Sequence, residues 1–123
     1  MATLTTAARN AACNAVVDLV DAGPAAGTLE FQTSGSVEVA TLTFSDPAFG
    51  NAATGVATAS AITSDTSATG GTTTKALFKD STGTEVLTAT VGTSATDIII
   101  SNTVVGAGDT VSVSSLTVTM PAS

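Results

Sequence analysis

Phe78-Lys79-Asp80-Ser81-Thr82-Gly83-Thr84-Glu85-Val86 reads as a β-hairpin. Asp and Ser bond their own backbone in turns and Gly accepts positive φ, so the centre of this stretch reverses the chain. Working outward, similar punctuation follows Gly27 every eight to twelve residues. It falls at Thr33-Ser34-Gly35, at Ser45-Asp46-Pro47-Ala48-Phe49-Gly50, at Gly70-Gly71 and at Gly106-Ala107-Gly108-Asp109. Such spacing belongs to sandwiches and barrels. The segments between are rich in Thr and Val and predict strands at Thr28–Gln32, Ser36–Phe44, Val56–Ile62, Thr72–Lys79, Glu85–Val91, Asp97–Asn102 and Thr110–Met120.

Two of these strands change phase. Val37 and Val39 point one way, while Leu42 and Phe44 need the other; Val111 and Val113 give way in the same manner to Leu116, Val118 and Met120. A slip of one residue moves every later side chain to the opposite face, so each slip predicts a bulge or a strand that leaves one sheet for another. The expected fold is mainly β: one antiparallel β-sandwich or jelly-roll-like domain over residues 1–123, with a helix in 1–23 and the sandwich in 27–120.

From Thr3 to Ala22 the period is helical. Leu4, Ala8, Ala11, Ala12, Ala15, Val16 and Leu19 recur at spacings of three and four, which predicts a face packed through Leu4, Ala8, Ala11, Ala15 and Leu19. Thr3 or Thr5 caps the start, and Gly23-Pro24 ends it, since Gly takes the left-handed conformation there and Pro cannot continue. Asp18 and Asp21 in the last turn oppose the helix macrodipole, so packing rather than propensity is expected to hold that end.

Composition narrows the function. Three basic residues, Arg9, Lys75 and Lys79, stand against ten acidic ones, for a net charge of −7. Binding to nucleic acid depends on cations that neutralise phosphates, and an anionic membrane surface repels the same charge, so neither is an expected partner. Apolar residues make up 43% of the chain, but they are mostly Ala and Val, with four Phe, no Trp and no Tyr. Small side chains build a thin core. Such a domain is expected to gain stability by docking on copies of itself or on a larger body. The N-terminal stretch lacks a basic region followed by an apolar core and a cleavage site, and no apolar run is long enough to span a bilayer, which predicts a soluble chain made in the cytoplasm.

No histidine is present, which removes the commonest general base and most transition-metal sites. Cys13 is single and sits among Ala and Val, where a small buried hydrophobe is expected. Glu30 and Glu38 flank the first hairpin as a paired-carboxylate candidate, yet their phase places them as solvated surface charges. Asp46, Asp65, Asp80 and Asp109 lie in turns without the alternating spacing of a calcium loop, so backbone-bonding Asx turns are expected. Thr-x-Thr at Thr41/Thr43, Thr88/Thr90 and Thr117/Thr119 has no fixed period and is read as ordinary strand preference rather than an ice-binding array. The expectation is no catalytic residue, no cofactor site and no metal site. Phe49, a lone aromatic in the Ser45–Gly55 loop, is expected to fold back as a plug beside Phe44, the alternative being presentation to a partner.

Leu42-Thr43-Phe44-Ser45-Asp46-Pro47-Ala48-Phe49-Gly50, with the later Ala61-Ile62-Thr63-Ser64-Asp65-Thr66-Ser67-Ala68, resembles a group of small proteins encoded among the structural genes of tailed bacteriophages and prophages. These also begin with a helix of the Leu-x-x-Ala-x-Arg-Asn-x-Ala type, here starting at Leu4 and running through Arg9 and Asn10. They end on a Gly-Asp-Thr-Val-Ser-Val strand, here Gly108 to Val113. The resemblance covers most of the chain and rests on turn and core patterns. The first hairpin, Gly27–Phe44, is shorter than in that group, which carries longer inserts there. The resemblance implies a virion structural protein, foremost a decoration (cement) protein on the outside of the capsid shell. It would bind the major capsid protein as a homo-oligomer, with a trimer favoured. A tail, collar or fibre-base component, or a generic adhesion module, is the alternative.

Overall fold

A computed structural model describes residues 2–121; Met1, Ala122 and Ser123 lie outside the described residues. Helix α1 spans Thr6–Asp18, followed by a 3-10 turn over Leu19–Asp21. Among the described residues nine strands follow: β1 (Thr28–Gln32), β2 (Glu38–Thr43), β3 (Val56–Thr58), β4 (Gly71–Thr72), β5 (Lys75–Lys79), β6 (Glu85–Gly92), β7 (Ile98–Ile99), β8 (Val104–Val105) and β9 (Thr117–Thr119). The fold is mainly β and sandwich-like. A five-stranded sheet, ordered β2-β1-β5-β6-β7, forms one layer, and two ribbons, β3-β9 and β4-β8, complete the strands. The pairings are antiparallel except β6-β7, which corrects the all-antiparallel expectation: residues 93–97 carry the chain back to start β7 beside the end of β6.

Alternation within the large sheet sends Leu29 and Phe31 of β1, Leu42 of β2 and Ala76 and Phe78 of β5 to one face, where all are buried. One continuous core joins them to Cys13, Val17 and Val20 of the helical segment and to Ala57 and Leu116 on the β3-β9 side. The second layer is thus a helix and a short ribbon, not a second broad sheet.

Both phase slips correspond to breaks. In β2, Phe31 faces Ala40 while Gln32 faces Glu38, so Val39 is the extra residue of a bulge and both Val39 and Ala40 are buried. The segment expected as one strand over Thr110–Met120 is divided. Val111 forms an isolated bridge with Asp65, and the chain resumes as β9 against β3. The expected Thr72–Lys79 strand is likewise two pieces, separated at Thr73, whose buried hydroxyl donates to the Gln32 carbonyl at 3.1 Å. Val56–Ile62 and Asp97–Asn102 shrink to three and two strand residues. The hairpin at 78–86 stands as read. The Asp80 carboxylate accepts from the amides of Thr82 and Thr84 at 2.9 and 3.0 Å.

The face of the helix is corrected. Thr5 caps it, its hydroxyl accepting from the Ala8 amide at 3.2 Å. The buried side chains are Cys13 and Val17, with Val20 in the 3-10 turn, whereas Ala11 and Ala15 are exposed and Leu4 and Leu19 are 43% and 55% exposed. An Ala-rich helix offers two apolar stripes, and polar anchors decide between them. Arg9 Nε donates to the Met120 carbonyl at 2.9 Å. Asn10 Oδ1 accepts from the Gly55 amide, Asn14 Oδ1 from Ala52 and Asp21 Oδ1 from Ala48, each at 2.8 Å. Residues 10, 14 and 21 share the Val17 side of the helix, so one face holds both the core contact and the clamp on the 48–55 loop. Asp21 thereby exchanges an unfavourable dipole position for a hydrogen bond. The chain then turns at Gly23, with φ of 93°, as expected of a helix stop. Gly27 allows the helix end and β5 to meet, since a Cβ there would lie 2.4 Å from the Lys79 carbonyl oxygen and 2.5 Å from that of Val20.

Candidate functional site

The outer face of the large sheet carries both lysines and all three glutamates. Register aligns Thr43, Thr28, Lys79 and Glu85 in one row, Thr41, Glu30, Leu77 and Thr88 in the next, and Glu38, Gln32, Lys75 and Thr90 in the third. Glu30 and Glu38 therefore occupy diagonal positions on one face, and both are half-buried rather than free surface charges. Glu30 Oε1 pairs with Lys79 Nζ at 2.9 Å, and Gln32 Nε2 donates to its other oxygen. Glu38 accepts from the hydroxyls of Thr41 and of Thr69, the latter at 2.7 Å. Burial raises the Glu30 pKa, but the hydrogen bonds from Gln32 and Lys79 and the lysine's charge outweigh it and leave the carboxyl below its ordinary value. A carboxylate held in this way cross-links strands; neither Glu30 nor Glu38 has the geometry of a free acid facing a base.

The loop aspartates divide. Asp65 accepts from the Thr41 amide at 2.9 Å and the Ser67 amide at 2.8 Å, which ties the 63–68 segment to the outer edge of β2. Asp109 Oδ2 accepts from the Gly106 amide at 2.8 Å. Asp80 is held below its ordinary pKa first by the Thr82 hydroxyl, against burial, with the turn amides adding to the effect. Asp46 is exposed. Among the described residues no three Cys, Asp or Glu side chains converge on a point where a metal ion would sit. Cys13 is fully buried, and its thiol donates to the Val118 carbonyl at 3.3 Å.

Phe49 is 6% exposed and lies 5.6 Å from Phe44 and 6.2 Å from Phe78, centroid to centroid, so it is folded back over the core. Of the two alternatives for this residue, the plug describes its place.

Among the described residues, cavities open at the surface in two places of note. One, of about 190 Å³, lies beside the β8 turn between Ile100 and Ser112. The other, of about 310 Å³, lies between β6 and β9, with Leu87, Ile98 and Val118 among its walls. The large exposed apolar side chains among the described residues are Leu4, Leu19, Val37, Ile99 and Val104. Leu4 and Leu19 were expected inside and instead flank the exposed Ala11–Ala15 stripe. Ile99 and Val104 sit on two-residue strands that periodicity cannot resolve. Among the described residues no helix is long and apolar enough to cross a membrane. No family model, no curated protein and no solved structure matches this chain.

Proposed function

We propose that this chain is a non-enzymatic structural module of a virion, a decoration protein that docks on the outside of a phage head shell. The observation that carries the reading is how its functional groups are used. Arg9, Asn10, Asn14, Asp21, Glu30, Asp65 and Asp80 each hold a loop or strand in place, while Ala11, Ala15 and Leu19 lie exposed along one helix face and Leu4 is exposed just before the helix. Chemistry needs polar groups aimed at a shared point. Docking needs apolar surface on a rigid body, and exposed Leu side chains flanking Ala supply it. The resemblance to structural proteins of tailed phages, carried by residues 42–50 and 61–68, supports the same reading. The partner is the major capsid protein, and the module works as a homo-oligomer, a trimer foremost. A place in the tail, collar or fibre base is the second reading.

Imaging of particles carrying the protein, with the subunit located by labelled antibody, tests the proposal. Density on the head lattice in hundreds of copies supports decoration. A few tens of copies at the tail replace it with the second reading, and absence from particles refutes both.

A further inference from the structure

The sandwich is open along one side, between β6 and β9, and each margin presents backbone groups to the opening. Among the described residues β9 pairs only with β3. At its ends the Met120 amide donates to the Gly55 carbonyl at 2.7 Å, and the Leu116 carbonyl accepts from the Ala59 amide at 2.8 Å. Alternate residues of an antiparallel strand bond to the same side, so Val118 also faces β3. The N–H and C=O groups of Thr117 and Thr119 therefore point away, toward the opening. β6 offers less, since the amide of its outward Thr90 already donates to Asp97 Oδ2 at 3.0 Å. The Val91 amide donates to the Thr74 carbonyl at 3.0 Å on the β5 side, which turns Ala89 and Leu87 to β5 and Thr88 outward. β7 covers β6 only from Val91 onward.

Between these margins lies the cavity of about 310 Å³. Phe78, Ala89, Ile98 and Leu116, each under a tenth exposed, form its floor, and Leu87 and Val118 its sides. The volume sits at the bottom of the range of about 300–1,000 Å³ usual for small-molecule pockets. The outward amides and carbonyls of Thr117 and Thr119, faced by those of Thr88, over an apolar floor match instead the needs of an extended peptide. Such a peptide pairs its backbone with a sheet edge and places alternate side chains in a groove.

Charge selects the peptide. Among the described residues Asp97 is the one charged residue lining the cavity and Glu85 opens β6; each is exposed and keeps its formal charge while accepting one hydrogen bond, from the Thr90 amide and the Thr88 hydroxyl respectively. The three cations are held elsewhere: Arg9 on the Met120 carbonyl, Lys79 on Glu30 and Lys75 on the Ser36 hydroxyl at 2.6 Å. Two copies of the seam would oppose their own carboxylates, and each chain carries a net charge of −7. We propose that the seam between β6 and β9 captures an extended segment of a partner protein, one in which apolar residues alternate and Lys or Arg flank them, by strand addition. This rests on the docking-module reading above and names the surface that would serve it.

The test uses the full chain and a defined probe, the blocked peptide Lys-Val-Thr-Val-Thr-Val-Lys, followed by calorimetry and amide hydrogen exchange. The expected result is binding that weakens with salt and slows exchange at Thr88, Thr117 or Thr119. Replacing both peptide lysines with Glu, or N-methylating alternate peptide amides, is expected to weaken binding at least about tenfold. Thr119→Pro removes an outward donor without touching the β3 ladder, a position where edge strands accept proline, and is expected to give a similar loss with an unchanged unfolding midpoint. If Thr119→Pro does not fold, exchange in the unmodified protein still decides. Absence of binding at millimolar peptide, protection elsewhere on the fold, or a dimer of this chain that Thr119→Pro dissociates would each overturn the proposal. The peptide judges the seam alone, and binding of the unmodified protein to virus particles judges the docking reading, so the two fail separately.

Discussion

Phe49 and Glu30 show what single positions reveal before a structure and what they withhold. A lone aromatic in a loop of Gly, Ala, Asn and Pro has to go somewhere, and the nearness of Phe44 in sequence pointed it inward. The third ring of the cluster, Phe78, comes from β5 and was not legible, because only the sheet register brings it there. Phe49→Ala is expected to cost about 3–5 kcal/mol, measured by chemical unfolding of the isolated protein. A loss below about 1 kcal/mol would show that the ring is not part of the core. Glu30 was legible as a strand residue and misread as a free charge, since its partners lie two residues away in sequence and 49 residues away on β5. Its folded pKa is depressed, so its contribution to stability is present above the unfolded value, near 4.5, and is lost as pH falls through the lower folded value. Stability is therefore expected to decline below about pH 4.5 with a slope that Glu30→Gln reduces. An identical acid profile in that variant would remove Glu30 from the account. The Asp80 turn and the Asp65 bond to the Ser67 amide were legible because Asx chemistry reaches only a few residues along the chain, whereas the Asp65 bond to the Thr41 amide, 24 residues away, was not.

At the scale of elements, the hairpin at 78–86 and the helix were readable from local pattern, and the breaks in β2 and before β9 were readable as phase slips. The short strands were not. β4, β7 and β8 have two residues each, and nothing with a period of two can be recognised over two residues. The helix face was misassigned for a related reason: Ala contributes little to either stripe, so Leu4 and Leu19 outweighed Cys13 and Val17 in the pattern. The better signal was polar. Asn10, Asn14 and Asp21 are poor choices for the middle and end of an exposed helix unless they bond something. This arrangement reverses an expectation for mutants. Ala15→Glu, which a buried Ala stripe would not tolerate, is expected to change the stability of the isolated protein by less than about 0.5 kcal/mol. Val17→Asp places an unpaired charge in the core and is expected to prevent folding. Thermal melts of both variants decide which face is inside. Ala15→Glu has a second use, since particle binding lost at intact stability would identify the exposed stripe as the docking face.

For the molecule as a whole, two features pull against each other. The core is thin in large side chains, its aromatic part resting on four Phe of which one cluster uses Phe44, Phe49 and Phe78, and the exposed helix stripe offers further apolar area for burial between subunits. Against this stands a net charge of −7 on every copy. The apolar gain is nearly independent of ionic strength, whereas the repulsion acts through solvent and falls with the Debye length, from about 30 Å at 0.01 M salt to about 3 Å at 1 M. If the proposed homo-oligomer forms through the exposed Ala11, Ala15 and Leu19 face, its stability is expected to rise with salt, the reverse of an assembly held by ion pairs. Sedimentation equilibrium at low and high salt measures this directly. An association constant that increases with salt, and that Leu19→Glu abolishes while the fold persists, supports a helix-mediated oligomer. Association that weakens with salt points to charged contacts such as the outer sheet face with its Glu and Lys rows. A mass that stays monomeric at both ionic strengths removes the oligomer from the proposal and leaves single subunits docking directly on the shell.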